Sequence, residues 1–100
     1  MVYKAKRVGA PVRNRASAQK GIDVIRELDS VVLDRDLPEH GLVLGDVCTV
    51  VLVHGDGEGY ELEFAALDGE TVAVVTLSAQ EVREIRQGEI AHVRDVARAV

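Results

Sequence analysis

The chain has 100 residues, the size of one domain, and its apolar content of 47% is ample for a core. Because only 3% of the residues are aromatic, that core must be built from Val, Leu, Ile and Ala. The longest apolar runs, such as residues 50–53, are far shorter than the roughly 18 residues that cross a bilayer. This pattern excludes a membrane-spanning helix.

The net charge of −5 hides a division between the N-terminus and the rest of the chain. Residues 1–20 hold six of the 12 basic side chains and none of the 17 acidic ones, so the remainder carries a net charge of −11. Such an acidic body repels a phosphate backbone and attracts a basic partner.

The N-terminal segment has no sustained apolar period and mixes Gly9, Pro11 and Gly21 with polar residues. We predict that residues 1–24 form a flexible basic arm. The arm is either an unstructured extension or a segment that binds nucleic acid or an acidic surface, although Tyr3 is its only aromatic residue for stacking on bases. No apolar stretch follows the first basic residues, and one cysteine forms no intramolecular disulfide, so we expect a bacterial cytoplasmic protein.

The pattern then turns to β-strands. Residues 30–33 are short and β-branched, and a long loop with Pro38 leads through Gly45 and Asp46 into an apolar strand over residues 47–54. Gly and Asp are turn residues at the start of a strand. Residues 47–54 are apolar at both parities, which predicts a central or strongly curved strand buried on both faces. A long loop that enters a strand in this way is typical of SH3-like small barrels.

A hairpin loop at residues 55–59 leads into the clearest half-buried strand, residues 60–64, where apolar and acidic side chains alternate. The Asp68-Gly69 dipeptide predicts a type I′ hairpin, a turn that requires positive φ at both central residues. The chain then returns as a partner strand over residues 71–77.

Ser78 and Glu81 have the spacing of a capping box, which predicts one helical turn before a last short strand through Val82 and Ile85. From Glu89 onward, apolar residues recur at helical spacing and predict an amphipathic C-terminal helix. Its apolar stripe either packs back on the sheet or meets a partner, and we favour the first. The chain thus divides into the arm (residues 1–24), an SH3-like barrel of about five strands (25–88) and a C-terminal helix (89–100).

Three groups of residues invite a chemical interpretation. Cys48 and His54 lie on one predicted strand, roughly 20 Å apart, too far to share a metal ion, so Cys48 is interpreted as a small buried hydrophobe. The glycine-rich loop 55–59 precedes a strand, whereas phosphate-binding loops precede a helix. Glu61 and Glu63 are about 7 Å apart, as in paired catalytic carboxylates, but a solvated strand face is the simpler interpretation. We predict no catalytic, cofactor-binding or metal-binding residue.

The long loop between the first two strands is the best site candidate, since loops carry function more often than cores do. We combine it with the strand over residues 60–64 into a predicted partner-binding surface. Its residues are Asp36, Leu37, Pro38, Glu39, His40, Tyr60, Glu61 and Glu63. Leu37, Pro38 and Tyr60 would supply apolar anchors among the acidic groups.

An ordered string of motifs resembles a small bacterial family catalogued as domain of unknown function 4926. The motifs are LDSVVL (28–33), DLPEHGL (36–42), GDVCTVV (45–51), YELEF (60–64) and DGET (68–71). The resemblance covers about residues 25–86 and implies an SH3-like small barrel. Members often resemble accessory genes beside toxin-type genes, which implies an antitoxin- or immunity-type role. The chain departs from the family in its basic arm and at Cys48, where Gly is usual and where Cys fits only if φ is not positive.

Three functions follow as hypotheses. The leading one is a non-enzymatic protein-binding module, an antitoxin- or immunity-type partner of a basic toxin-type protein that an adjacent gene could encode. The second is a nucleic-acid-binding barrel that uses the basic arm, and the third is an accessory subunit of an enzyme. None of the three requires a cofactor.

Overall fold

The computed structural model describes residues 24–96, which form five strands and two short 3₁₀ turns. The strands are β1 (Ser30–Leu33), β2 (Val47–His54), β3 (Gly59–Ala65), β4 (Thr71–Ser78) and β5 (Val82–Glu84). The 3₁₀ turns are Pro38–His40, between β1 and β2, and Ala79–Glu81, between β4 and β5. All strand pairs are antiparallel and form one open sheet in the order β4-β3-β2-β1-β5. The prediction of a mainly β domain with about five strands is confirmed.

One face of the sheet carries the core. The alternation in β3 places Tyr60, Leu62 and Phe64 on that face, and all three are buried. The other buried members of the cluster are Val31, Leu33, Leu37, Leu42, Cys48, Val50, Leu77 and Val82. Burial of each large apolar side chain contributes about 1.5–3 kcal/mol. The core therefore contains side chains from all five strands and from the long loop.

The central strand β2 lies between β3 and β1, as predicted, but it is not buried on both faces. Its register with β3 shifts between Val50 and Leu52, so Val51 is an extra residue in a β-bulge. Val47, Val51 and Leu52 are all exposed, because no second layer of the described chain covers this face of the strand. The predicted burial on both faces is wrong for this reason.

The hairpin between β3 and β4 is not the predicted type I′ turn. Gly69 has a φ of 96°, but Asp68 is not among the residues with positive φ in the described chain. The Ala66 amide donates to the Glu70 carbonyl at 2.8 Å, and the Gly69 amide donates to the Ala66 carbonyl at 2.9 Å. The connection is therefore a longer loop with one left-handed residue, which only Gly adopts without strain.

The capping box is confirmed at the end of β4. Glu81 accepts hydrogen bonds from the Ser78 amide at 2.8 Å and from the Ser78 hydroxyl at 3.1 Å. The 3₁₀ turn that it caps leads into β5, which pairs with β1 and begins at Val82 as predicted. Ile85 lies just beyond the end of that strand.

The predicted C-terminal helix is absent from residues 89–96, and residues 97–100 lie outside the described chain. Ile90 is 89% exposed and Val93 is 70% exposed, so their apolar stripe does not pack on the sheet. A short helix without a packed face is marginal in water. Residues 85–96 instead form an irregular segment, which we call the strap. Two pairs hold it in place: Glu89 of the strap with Arg83 of β5, and Arg94 of the strap with Asp46 of the loop.

Of the predicted N-terminal arm, the structure describes only Val24. The flexibility of residues 1–24 therefore stays a prediction. Across residues 24–96, no helix is long and apolar enough to cross a bilayer.

Candidate protein-docking surface

The loop between β1 and β2 is closed by aspartate side chains at both of its ends. Asp36 accepts a hydrogen bond from the Leu44 amide at 2.8 Å, and Asp46 accepts one from the Val43 amide at 2.8 Å. An isolated antiparallel bridge between Leu37 and Leu42 closes the loop a second time. These contacts fix the loop on the sheet, so its exposed tip is presented in a defined shape.

The predicted site residues in this loop divide between the core and the surface. Leu37 is only 2% exposed and belongs to the core, so it holds the loop down and offers no surface for a partner. Pro38, Glu39 and His40 form an exposed 3₁₀ turn at the tip. Gly41 ends this turn with a φ of 71° and donates its amide to the Pro38 carbonyl at 3.1 Å.

Tyr60 is also a core residue and is only 5% exposed. Burial raises the pKa of its phenol, and the nearby Glu84 carboxylate raises it further. In this conformation neither Leu37 nor Tyr60 is available as an apolar anchor. Pro38 is the one predicted anchor that lies at the surface.

Glu61 and Glu63 lie on the face of β3 opposite the core, half-buried beside β4. The Thr76 hydroxyl donates to Glu61 at 2.8 Å, and the Thr71 hydroxyl donates to Glu63 at 2.6 Å. His54 Nε2 lies 3.7 Å from Glu61, beyond hydrogen-bond distance. These contacts with neutral hydroxyls orient the two carboxylates and bring no positive charge to them.

The acidic groups extend well beyond this pair. Residues 36–82 contain no lysine or arginine and ten carboxylates: Asp36, Glu39, Asp46, Asp56, Glu58, Glu61, Glu63, Asp68, Glu70 and Glu81. Within the described residues, Asp46 pairs with Arg94 and Glu81 pairs with Arg35. We define the acidic side as the carboxylates of β3 and of the loops that flank β3 and β4, namely Asp56, Glu58, Glu61, Glu63, Asp68 and Glu70.

The acidic side and the loop tip are separate parts of the surface. No hydrogen bond or ion pair between residues 24 and 96 joins Pro38, Glu39 or His40 to Glu61 or Glu63. Leu37 and Tyr60 belong to the core, whereas Glu61 and Glu63 lie on the opposite face of β3. The other predicted partner-binding residues therefore form two groups, the loop tip and the glutamates of β3.

The strap makes a contact with the loop that the sequence pattern does not reveal. Arg94 donates to both Asp46 carboxylate oxygens and to the Gly41 carbonyl, the latter at 3.1 Å. Arg94 and Asp46 lie 48 positions apart, so no local spacing indicates this pair. The same aspartate that closes the loop thus also holds the strap.

Cys48 is a buried, protonated thiol. Its sulfur lies 3.7 Å from the Val31 carbonyl, and burial, with a smaller contribution from Asp46, raises its pKa to about 12. Because the thiolate is the reactive species, this environment opposes nucleophilic chemistry. Cys48 lies in β2 without positive φ, so it fits where its side chain replaces the expected Gly.

The fold and the surface together define a small all-β protein with an acidic side formed by β3 and by the loops that flank β3 and β4. A family model described as a domain of unknown function (DUF4926) matches residues 27–84, which is more than half of the chain. The chain therefore belongs to this family, as its motifs predicted. Neither the curated proteins nor the solved structures contain a significant match to the chain.

Proposed function

We propose that this chain is a non-enzymatic protein-binding module that docks a basic partner through its acidic side. The observation that carries the proposal is the composition of residues 36–82, which hold ten carboxylates and neither lysine nor arginine. The contacts of Glu61 and Glu63 with threonine hydroxyls support it, since they orient the charge without neutralising it.

The physical role of such a surface is attraction over a distance. Exposed charges act over about 8–10 Å at physiological salt, and complementary charges speed the encounter of two proteins. They also reject partners of the wrong sign. An acidic side of this kind therefore selects a basic protein surface and makes binding sensitive to salt.

We also propose that the sheet has the curvature of an SH3-like small barrel. The strand order β4-β3-β2-β1-β5, the long loop after β1 and the 3₁₀ turn before β5 support this architecture. That fold class hosts many unrelated activities, so the argument for binding rests on the charges and not on the fold.

The proposed partner is a basic toxin-type protein, with this chain as its antitoxin- or immunity-type counterpart in the bacterial cytoplasm. The resemblance of family members to accessory genes beside toxin-type genes supports this choice. The product of an adjacent gene is therefore the first partner to test.

Capture of that gene product by the full chain tests the proposal. We expect capture at low salt and release at high salt, together with weaker capture by the double variant Glu61→Gln/Glu63→Gln. The double variant Glu27→Gln/Asp95→Asn is the matched control, because it removes the same charge outside the acidic side. Equal capture by all three proteins, or no capture at either salt, would overturn the proposal.

Titration with DNA and RNA separates this function from nucleic-acid binding through the basic arm. The arm's six basic groups predict an affinity that falls steeply with salt. If the Glu61→Gln/Glu63→Gln variant still binds DNA or RNA with that salt dependence, the result would support the arm as the functional part of the molecule.

A further inference from the structure

Strand β4 is an open edge of the sheet. It pairs with β3 on one side, and within residues 24–96 no strand pairs with its other side. Its eight residues contain no charge, no proline and no glycine, and Val74 is 56% exposed. A long, uncharged edge strand of β-branched residues is a template for another strand.

The register shows which backbone groups lie at this edge. The Ala79 amide donates to the Glu58 carbonyl at 3.0 Å, so residues of the same parity in β4, such as Val75 and Leu77, point their amides and carbonyls toward β3. Val74 and Thr76 point theirs away from β3, into the open edge. These two residues offer two donors and two acceptors at the spacing of alternate strand residues.

Carboxylates surround this edge on three sides. Glu61 and Glu63 lie on the neighbouring strand, and Asp68 and Glu70 precede β4. Glu58 precedes β3, and its carbonyl accepts the amide of Ala79, just beyond the end of β4. Adjacent strands lie about 4.8 Å apart, so a strand added to β4 is about 10 Å from β3. The side chain of a lysine or arginine on the added strand and that of a glutamate on β3 are together long enough to meet across this distance.

We propose that the β4 edge binds an extended segment with basic residues at alternate positions, which adds to the sheet as a sixth strand. Backbone hydrogen bonds to Val74 and Thr76 supply the pairing, and the acidic side selects the basic side chains. This inference rests on the proposed function and names the binding mode of the basic partner.

Charge argues against a second copy of this chain as the occupant. Two β4 edges brought together would place two acidic sides in contact, and like charges in such a position oppose association. The same carboxylates therefore protect the edge from self-pairing and leave it open to a basic strand.

Amide exchange in the full chain tests the inference with a defined probe. The probe is a seven-residue peptide in which lysine alternates with valine; the controls carry glutamate in place of lysine, or the same lysines grouped at one end. We expect the alternating basic peptide to slow exchange of the Val74 and Thr76 amides at least tenfold. The Val75 and Leu77 amides, already bonded to β3, serve as the internal reference.

A proline at the edge sharpens the test. Val74→Pro removes an amide that points outward and spares the pairing with β3, and we expect it to weaken peptide binding about tenfold, as the loss of one or two hydrogen bonds predicts. Val74→Thr keeps the amide and should bind as the parent does. The exchange measurement on the parent chain decides the matter even if Val74→Pro fails to fold.

The outcomes separate this inference from the proposed function. Unchanged exchange at Val74 and Thr76 with bound peptide, or equal binding of the glutamate peptide, would overturn the edge site. Capture of the adjacent gene product by the folded Val74→Pro variant with unchanged affinity would also overturn it while the proposed function stands. If the gene product is never captured but the basic peptide protects both amides, the edge site stands and the proposed partner is wrong.

Discussion

The charged side chains at the two edges of the sheet have different partners. At the β1–β5 edge, arginines pair with carboxylates: Arg35 with Glu81, and Arg83 with both Asp34 and Glu89. At the β3–β4 edge, carboxylates contact threonine hydroxyls and no arginine or lysine lies in the sequence between positions 36 and 82. The first edge uses charge to hold the chain's own segments together. The second edge carries the carboxylates that we propose meet another molecule.

The core is common to both edges, so its loss should have the largest effect. Leu62 is fully buried in β3, and we expect Leu62→Ala to lower the free energy of unfolding by about 3 kcal/mol through lost burial and a cavity. Denaturant unfolding measures this change. Leu67→Ala is the control, because Leu67 is 90% exposed and its loss should change stability by less than about 0.5 kcal/mol. Similar effects for the two variants would contradict the assigned core.

Asp46, which joins the loop to the strap, should contribute more to stability than the carboxylates of the acidic side. Asp46→Ala removes the acceptor of the Val43 amide and the partner of Arg94, and we expect a loss of about 2 kcal/mol. Arg94→Ala removes only the strap contact and should lower stability by about 0.5 kcal/mol. Chemical denaturation of both variants checks the order, and a larger effect of Arg94→Ala would contradict the role of Asp46 in holding the loop.

Acid should weaken the ion pairs of the β1–β5 edge in a defined pH window. Hydrogen bonds from Arg83 and from the Arg86 amide lower the pKa of Glu89 from 4.5 to about 2, and the Ser78 amide, with Arg35, lowers the pKa of Glu81. A carboxyl whose pKa is lower in the folded state stabilises the fold above its unfolded pKa and loses that contribution as the pH falls through the folded value. We therefore expect stability to fall between pH 4.5 and about pH 2.

Thermal unfolding across that window checks the prediction. The Glu89→Gln variant should lose less stability on acidification than the parent chain, because it lacks one of the titrating groups. An identical acid profile for the two proteins would show that the Arg83–Glu89 pair contributes nothing to the fold.

Much of the fold could be predicted from the sequence because its signals are local. The alternation in β3 and the capping box of Ser78 and Glu81 each involve neighbouring residues, and both are confirmed. The C-terminal helix failed because helical spacing describes only one partner of a packing contact. Ile90 and Val93 have the spacing of a stripe but no surface of the described chain to cover them.

The site was harder to predict for the same reason. The acidic composition is visible in the sequence, but the burial of a side chain depends on the whole fold. Leu37 and Tyr60 were predicted at the surface and lie in the core. The open edge of β4 depends on strand order, which no local pattern encodes. Pairing between distant residues, as between Asp46 and Arg94, is likewise a property of the assembled sheet.

The smallest expected effect on stability belongs to the acidic edge. Glu61→Gln/Glu63→Gln should change the free energy of unfolding by less than about 0.5 kcal/mol, since both carboxylates lie on the face opposite the core and their side-chain hydrogen bonds are to threonine hydroxyls. Denaturant midpoints of the variant and the parent chain measure it. A loss of several kcal/mol would mean that these glutamates serve the fold and not a partner.

The affinity of the purified adjacent gene product for the full chain, measured as a function of salt, tests the central claim most directly. The account predicts a dissociation constant that rises at least about tenfold between about 0.05 M and about 0.5 M salt, and a much smaller rise for the Glu61→Gln/Glu63→Gln variant. A salt dependence that is the same for both proteins would contradict the claim that the acidic side forms the interface.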